Sequence, residues 1–260
     1  MILGWGNVRK SKHSLMNSKP SLSDVNQQIK KMRLNGVAFD LDKYLDSFKL
    51  NKNAVASLKW LNNPVWWSSI ENKSCILTPR KADDVPFVRS LWADQDFIHS
   101  FHRLAKPLPA SDEQLTKILN DEWSSSLDMN NSLHWIIRCP KGDPYGLLSL
   151  VEISCQHRRS EIILGVVPDS PFGLSTAAML TLFEFYFKKI KFNKIISNVF
   201  EDNPRSLKST MHLGFRVEGQ FLRHTLDPKT NQFPNMTQLG LLKEDAFCSV
   251  NARLAKKLFS

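Results

Sequence analysis

Residues 160–219 constrain the fold of this chain more than any other stretch. An apolar strand, Glu161-Ile162-Ile163-Leu164-Gly165-Val166-Val167, runs into the loop Pro168-Asp169-Ser170-Pro171-Phe172-Gly173. Leu174-Ser175-Thr176 then opens a strongly apolar helix expected over 174–189. A strand, a small-residue loop and a helix N-terminus in succession aim free backbone N–H groups and the helix dipole at one point, a suitable place for a phosphate. A strand at 195–200, a short helix at 206–212 and strands at 215–222 and 236–242 follow. Upstream, strands at 75–77, 133–139 and 146–155 alternate with helices at 82–92 and 112–123, the latter capped at Ser111. This order predicts an α+β (α/β mixed-sheet) fold with helices on the sheet faces.

Residues 1–73 read differently. The formal net charge is +10, and it is uneven: +7 over 1–73 against +3 over 74–260. Val25, Ile29, Met32, Leu41, Tyr44, Leu45 and Phe48 recur at helical spacing, broken at Asn35-Gly36, with Ser21 or Ser23 as a cap. Trp60, Trp66 and Trp67 add a concentrated apolar load suited to docking an appendage on a larger domain. The expected organisation is a basic, mostly helical extension (1–73) and a main domain (74–260). The basic excess suits an acidic partner or a solvated face, and no nucleic-acid-binding motif is present.

No run approaches the roughly 20 apolar residues of a membrane span, and the N-terminus has no secretory h-region. Cys75, Cys139, Cys155 and Cys248 form no CxxC or Cys/His cluster, so no metal site is expected. Reduced thiols and a cytoplasmic location are expected.

After the strand at 195–200 come Asn203-Pro204-Arg205-Ser206 and, later, Leu213-Gly214-Phe215. In order and spacing, residues 74–245 resemble the GNAT (Gcn5-related N-acetyltransferase) superfamily. The Asn-x-x-Ser helix start, eight residues before Gly214, resembles the branch that acetylates ribosomal-protein N-terminal amines. The resemblance implies an N-acyltransferase that takes acetyl-CoA, or a longer acyl-CoA, and a primary amine acceptor on a peptide or protein. It is also compatible with a homodimer.

Carried onto this chain, the resemblance places backbone N–H groups near Val166 and Val167 against the pantetheine and thioester. The phosphate loop spans Ser170, Phe172, Gly173, Leu174, Ser175 and Thr176. Ser170 stands where the family has Arg or Gln, and the loop is about one residue short. Arg205 or Lys208 would then supply charge, and Asn203 a cap or a pantetheine contact. The general-acid Tyr of many members is replaced by Thr210, so Ser206 takes the acid role. The resemblance, a Glu before the motif strand, puts Glu161 ahead of Glu152 as candidate base, a task to which partial burial suits a carboxylate. His224 is the other candidate. His99 and His102, with Phe97 and Phe101, fall on the acceptor side. Two alternatives remain open at this point: a fatty-acyl transferase acting on a side-chain amine of a peptide natural product, and a non-catalytic protein that binds CoA or a partner.

Overall fold

The computed structural model describes residues 21–35, 40–48, 50, 52–124, 127 and 131–259. The chain forms two compact units that divide at Trp60/Leu61.

The first unit contains α1 (Leu22–Leu34), α2 (Leu41–Asp46) and α3 (Lys52–Leu61). Ser21 caps α1 in a reciprocal box with Asp24, and Asp40 caps α2 through the N–H groups of Asp42 and Lys43. Val25, Ile29, Leu45 and Leu58 form its core, flanked by Tyr44 and Phe48 in edge-to-face contact.

The second unit is built on one eight-stranded sheet. In chain order its strands are β1 (Ile70–Glu71), β2 (Ile76–Pro79), β3 (Leu133–Arg138), β4 (Pro144–Ser154), β5 (Arg159–Val166), β6 (Lys194–Phe200), β7 (Arg216–Phe221) and β8 (Met236–Leu242). They lie side by side as β1-β2-β3-β4-β5-β6-β8-β7, antiparallel except for β5 and β6. A parallel pair needs a crossover, and α7 (Leu174–Phe183) supplies it. Beyond its first turn α7 is apolar nearly all round because it is buried from Ala177 to Phe183.

Alternation along β3 distributes the core. Ile136 joins Leu147 of β4 under α4 (Val85–Ala93), α5 (Gln95–Phe101) and α6 (Asp112–Ser124). Trp135 packs oppositely, against Phe185, where Trp66 also meets Phe185 and Phe192. α8 (Pro204–His212), α9 (Lys243–Ala246) and α10 (Ser249–Phe259) complete the unit.

The helix expected over 174–189 changes pitch. After Phe183 it widens into a π-helical turn, Glu184–Lys189. The widening brings the Tyr186 hydroxyl to the carbonyl of Lys194, to which it donates at 2.7 Å, and within 3.0 Å of the Ser160 hydroxyl. Those two residues sit on β6 and β5, so Tyr186 ties the two strands together at one end.

Candidate active site

The site begins where β5 and β6 stop pairing. They are in register only at Arg159↔Lys194, Ser160↔Ile195 and Glu161↔Ile196. Beyond Glu161, β5 stays on β4 as far as Gly146↔Val166, while β6 stays on β8 as far as Phe200↔Met236. The strands therefore fork, leaving unpaired main chain along both inner edges.

Two cavities open at the fork, of about 410 Å³ and about 650 Å³. The two-residue period of a strand separates them. Glu161, Ile163, Ile196 and Asn198 line only the smaller one. Ile162, Leu164 and Ser197, on the alternate positions, also border the larger. Ser206 of α8 borders both.

The larger cavity runs from the start of α7 (Ser175, Thr176, Met179) to α8 (Lys208 to Leu213). Gly173 precedes α7 with φ of +81°, a left-handed conformation that an L side chain would strain. The N–H groups of Gly173, Ser175 and Thr176 have no backbone acceptor among the described residues. Ser170 N–H donates to Val167 O and Leu174 N–H to Pro171 O, which folds the loop on itself. Phe172 is fully exposed.

Backbone accounting separates the two valines. Val167 N–H donates to Tyr145 O at 2.8 Å, so that amide is committed to β4 and does not face a donor as expected. The alternation of an antiparallel ladder turns Val166 N–H, and Leu164 N–H, toward the fork. Lys208 lines the larger cavity, whereas Arg205 is exposed and lines neither. Thr210 lies on the larger cavity, where it offers a hydroxyl but no phenol.

Asn203 is the N-cap of α8, and its Oδ1 accepts the Ser206 N–H at 3.1 Å. That leaves the Ser206 hydroxyl with no hydrogen-bond partner among the described residues. Glu161 is partly buried, and burial pushes its carboxyl up to about 7. The nearby Asn198 amide pulls it down and the Glu152 charge pushes it further up. Glu152 itself sits at a bulge in β4, between Val151 and Ser154, with φ of +49°. The bulge explains how Glu152 borders the same cavity as Glu161 although it belongs to the neighbouring strand. His224 also lines this cavity, exposed, with its ring stacked on Phe221 at 4.8 Å.

One cluster beside the smaller cavity has no local sequence signature. Asp227 Oδ2 accepts from Arg103 Nη1 at 2.9 Å and lies 2.9 Å from His99 Nε2. Arg103 also pairs with Asp202 and lies 4.1 Å over the Phe200 ring. Burial alone would raise Asp227, but hydrogen bonds from His99 and the N–H groups of Lys229 and Thr230 hold it at about 2. Asp227 lies 128 residues from His99 and 124 from Arg103, so only the fold assembles them. His99, Phe101 and His102 line the same cavity, whereas Phe97 does not and packs in the core; burial lowers His102. Among the described residues no group of His, Cys, Asp and Glu is arranged to hold a metal ion. No helix among them is long and apolar enough to cross a membrane.

Comparison with known proteins identifies relatives of this arrangement. A family model described as the acetyltransferase (GNAT) domain matches residues 75–216. The spermidine N(1)-acetyltransferase of Escherichia coli (strain K12) is 28% identical over 105 residues, 40% of this chain and 56% of that enzyme. The chain thus aligns with little more than half the length of that curated relative. Among solved structures, a spermidine N-acetyltransferase from Vibrio cholerae in complex with CoA and spermine superposes with a TM-score of 0.58 at 17% identity. That match covers 68% of this chain and all of the other. A GCN5-related N-acetyltransferase from Brucella melitensis gives 0.59 at 17% identity, covering 74% and 86%. These structures share the fold. The curated relative is named for spermidine, so the ribosomal-protein branch suggested by the Asn-x-x-Ser start finds no counterpart in it.

Proposed function

The chain belongs to the GNAT acetyltransferase family, and on that premise we propose that it transfers an acetyl group from acetyl-CoA to a primary amine by direct attack on the thioester. The observation that carries this reading is the fork. It joins a cavity suited to the donor with one suited to the acceptor, and it stations titratable or hydroxyl-bearing side chains on each side.

In this reading the donor lies in the larger cavity. Its phosphates meet the free N–H groups at Gly173, Ser175 and Thr176, with Lys208 adding charge, because Ser170 supplies none. Phe172 and Leu174 frame that loop, Asn203 fixes the start of α8, and Arg205 adds a more distant positive field. The pantetheine runs along the open edge of β5, where Val166 N–H replaces one hydrogen bond of a sheet. The acceptor enters the smaller cavity. Its neutral nitrogen attacks the carbonyl carbon, and Glu161 takes the proton directly or through a water. Collapse of the tetrahedral intermediate breaks the C–S bond, and Ser206 protonates the leaving sulfur. A base at about 7 is poised for work near neutral pH. His224 is more exposed and is the weaker candidate for that role.

Residues 1–73, with their positive charge, serve acceptor recognition in this account, which suits a peptide or protein acceptor. A second reading, a small polyamine acceptor, is favoured by the spermidine enzyme among the relatives and by Glu152 and Glu161 lining one cavity. The test is release of free CoA from acetyl-CoA in the presence of spermidine, of a peptide with a free alanine N-terminus, and of neither. Amine-dependent release supports acetyl transfer, and the better acceptor decides between the two readings. Absence of release with every amine overturns the proposal.

A further inference from the structure

Four residues border both cavities: Ile162, Leu164, Ser197 and Ser206. If donor and acceptor approach from opposite sides, the reacting atoms meet where these four side chains meet. Two of the four are hydrocarbon and can stabilise no charge. The hydrogen bonds given by side chains at the junction therefore come from Ser197 and Ser206. Acyl transfer to an amine needs two separate services there: stabilisation of the oxyanion and protonation of the thiolate.

Ser197 is the first residue of β6 beyond the last β5–β6 pair, Glu161↔Ile196, so it stands at the apex of the fork. On its other edge it remains locked in the ladder opposite Leu239 of β8, which fixes its backbone. The residue is only 8% exposed, yet its hydroxyl has no hydrogen-bond partner among the described residues. The residue borders both cavities, so its hydroxyl is free to bond a ligand or water there. Ser206 comes from α8, a different element, so the two hydroxyls reach the junction from independent supports.

We propose that Ser197 is a third catalytic residue, donating a hydrogen bond to the carbonyl oxygen of the donor thioester as that oxygen becomes an oxyanion. The inference rests on the acetyl-transfer reading above. In the addition step the amine lone pair forms the C–N bond, and the carbonyl π pair moves to oxygen. Ser197 keeps its proton and shares it with that oxygen. When the pair returns, the C–S bond breaks and sulfur takes a proton from Ser206. The proton collected by Glu161 restores Ser206 through solvent. The net products are the acetylated amine and free CoA thiol.

The test compares full-length wild type with Ser197→Ala and Ser197→Thr, using acetyl-CoA with spermidine and with an alanine-terminated peptide. Free CoA binding is followed in parallel by calorimetry. Removing one preorganised donor to an oxyanion is expected to lower kcat by about 10²-fold. KM for acetyl-CoA and the affinity for CoA should change by less than about threefold, because the hydrogen bond matters only as charge develops. Ser197→Thr retains a hydroxyl on the same strand and should recover at least part of the rate. A Ser197→Ala enzyme as fast as wild type overturns the proposal, and so does a loss confined to KM. A loss of rate accompanied by a lowered melting temperature, and not recovered by threonine, also counts against it. If the wild type itself acetylates no amine, the acetyl-transfer reading fails, a result distinct from an active wild type that ignores Ser197.

Discussion

Replacing Glu161 by Gln should lower activity and raise stability, with both effects read from one carboxylate. Burial lifts this group from its ordinary 4.5 to about 7 in the folded protein. The folded state therefore holds its proton more tightly than the unfolded chain does. Below pH 4.5 both states are protonated and the site costs nothing. Between 4.5 and about 7 stability falls as pH rises, and above that the full penalty of a buried carboxylate is present. The interval corresponds to about 2–3 kcal/mol once the partial solvent access of the side chain is allowed for. Gln mimics the protonated form and carries no such penalty. At pH 8 the variant should be more stable by about that amount, a rise in Tm of about 5–10 °C for a unit of this size. At pH 4 the two proteins should melt together. In the same variant kcat/KM should drop by about 10²–10⁴, the usual worth of a general base. The wild-type kcat/KM should rise through about pH 7 as Glu161 ionises, on top of the rise from deprotonation of the amine itself. Thermal melts at pH 4, 6 and 8 and initial rates over the same range measure both effects. A variant that keeps more than half the wild-type rate, or that melts lower at pH 8, refutes the reasoning.

Three further outcomes follow from the same geometry. Ser206→Ala should lower kcat by about 10²–10⁴ in a thiol-release assay while leaving acetyl-CoA binding by calorimetry near wild type; retention of kcat removes Ser206 as the acid. Arg103→Met leaves Asp227 enclosed without its guanidinium partner, and urea unfolding should show a loss of about 3–5 kcal/mol; an unchanged midpoint contradicts a stabilising role for this pair. Deleting residues 1–60 should leave the second unit folded by circular dichroism and active on a small amine, with loss of activity on a protein acceptor; unchanged use of that acceptor removes the extension from recognition.

Much of the second unit was legible because local patterns and tertiary demands agree there. The strand–loop–helix run from Glu161 to Thr176 shows its strand, its loop glycine and its helix start without reference to any distant residue. Asn203 and Ser206 announce the start of α8 for the same reason: a cap is a short-range interaction. Glu161 could be proposed as a base because a Glu before this strand matches the resembling family, and its burial supplies the perturbation such a base needs.

What escaped the sequence depends on pairing between distant segments. The period of β5 does not reveal where it leaves β6, so neither the fork apex nor Ser197 could be singled out. Val167 looked equivalent to Val166 until the Tyr145 carbonyl claimed its N–H. The π-helical turn at Glu184–Lys189 is hidden within a continuous apolar run, and its cause, the reach of Tyr186 to Ser160 and Lys194, lies outside the helix. Asp227, in a segment rich in turn residues, carries no mark of its partners His99 and Arg103.

If one fork joins the donor and acceptor cavities, a ligand that needs both should bind across it. Conjugates in which an acetyl linker joins the sulfur of CoA to spermidine, or to the N-terminal nitrogen of an alanine peptide, should span the junction between Ser197 and Ser206. Calorimetry should find one of these conjugates bound at least about 10²-fold more tightly than CoA, as expected when two sites are engaged by one molecule. That advantage should disappear when Ser197→Leu fills the junction. If both conjugates bind no more tightly than CoA alone, the two cavities do not form one active site and the account is contradicted.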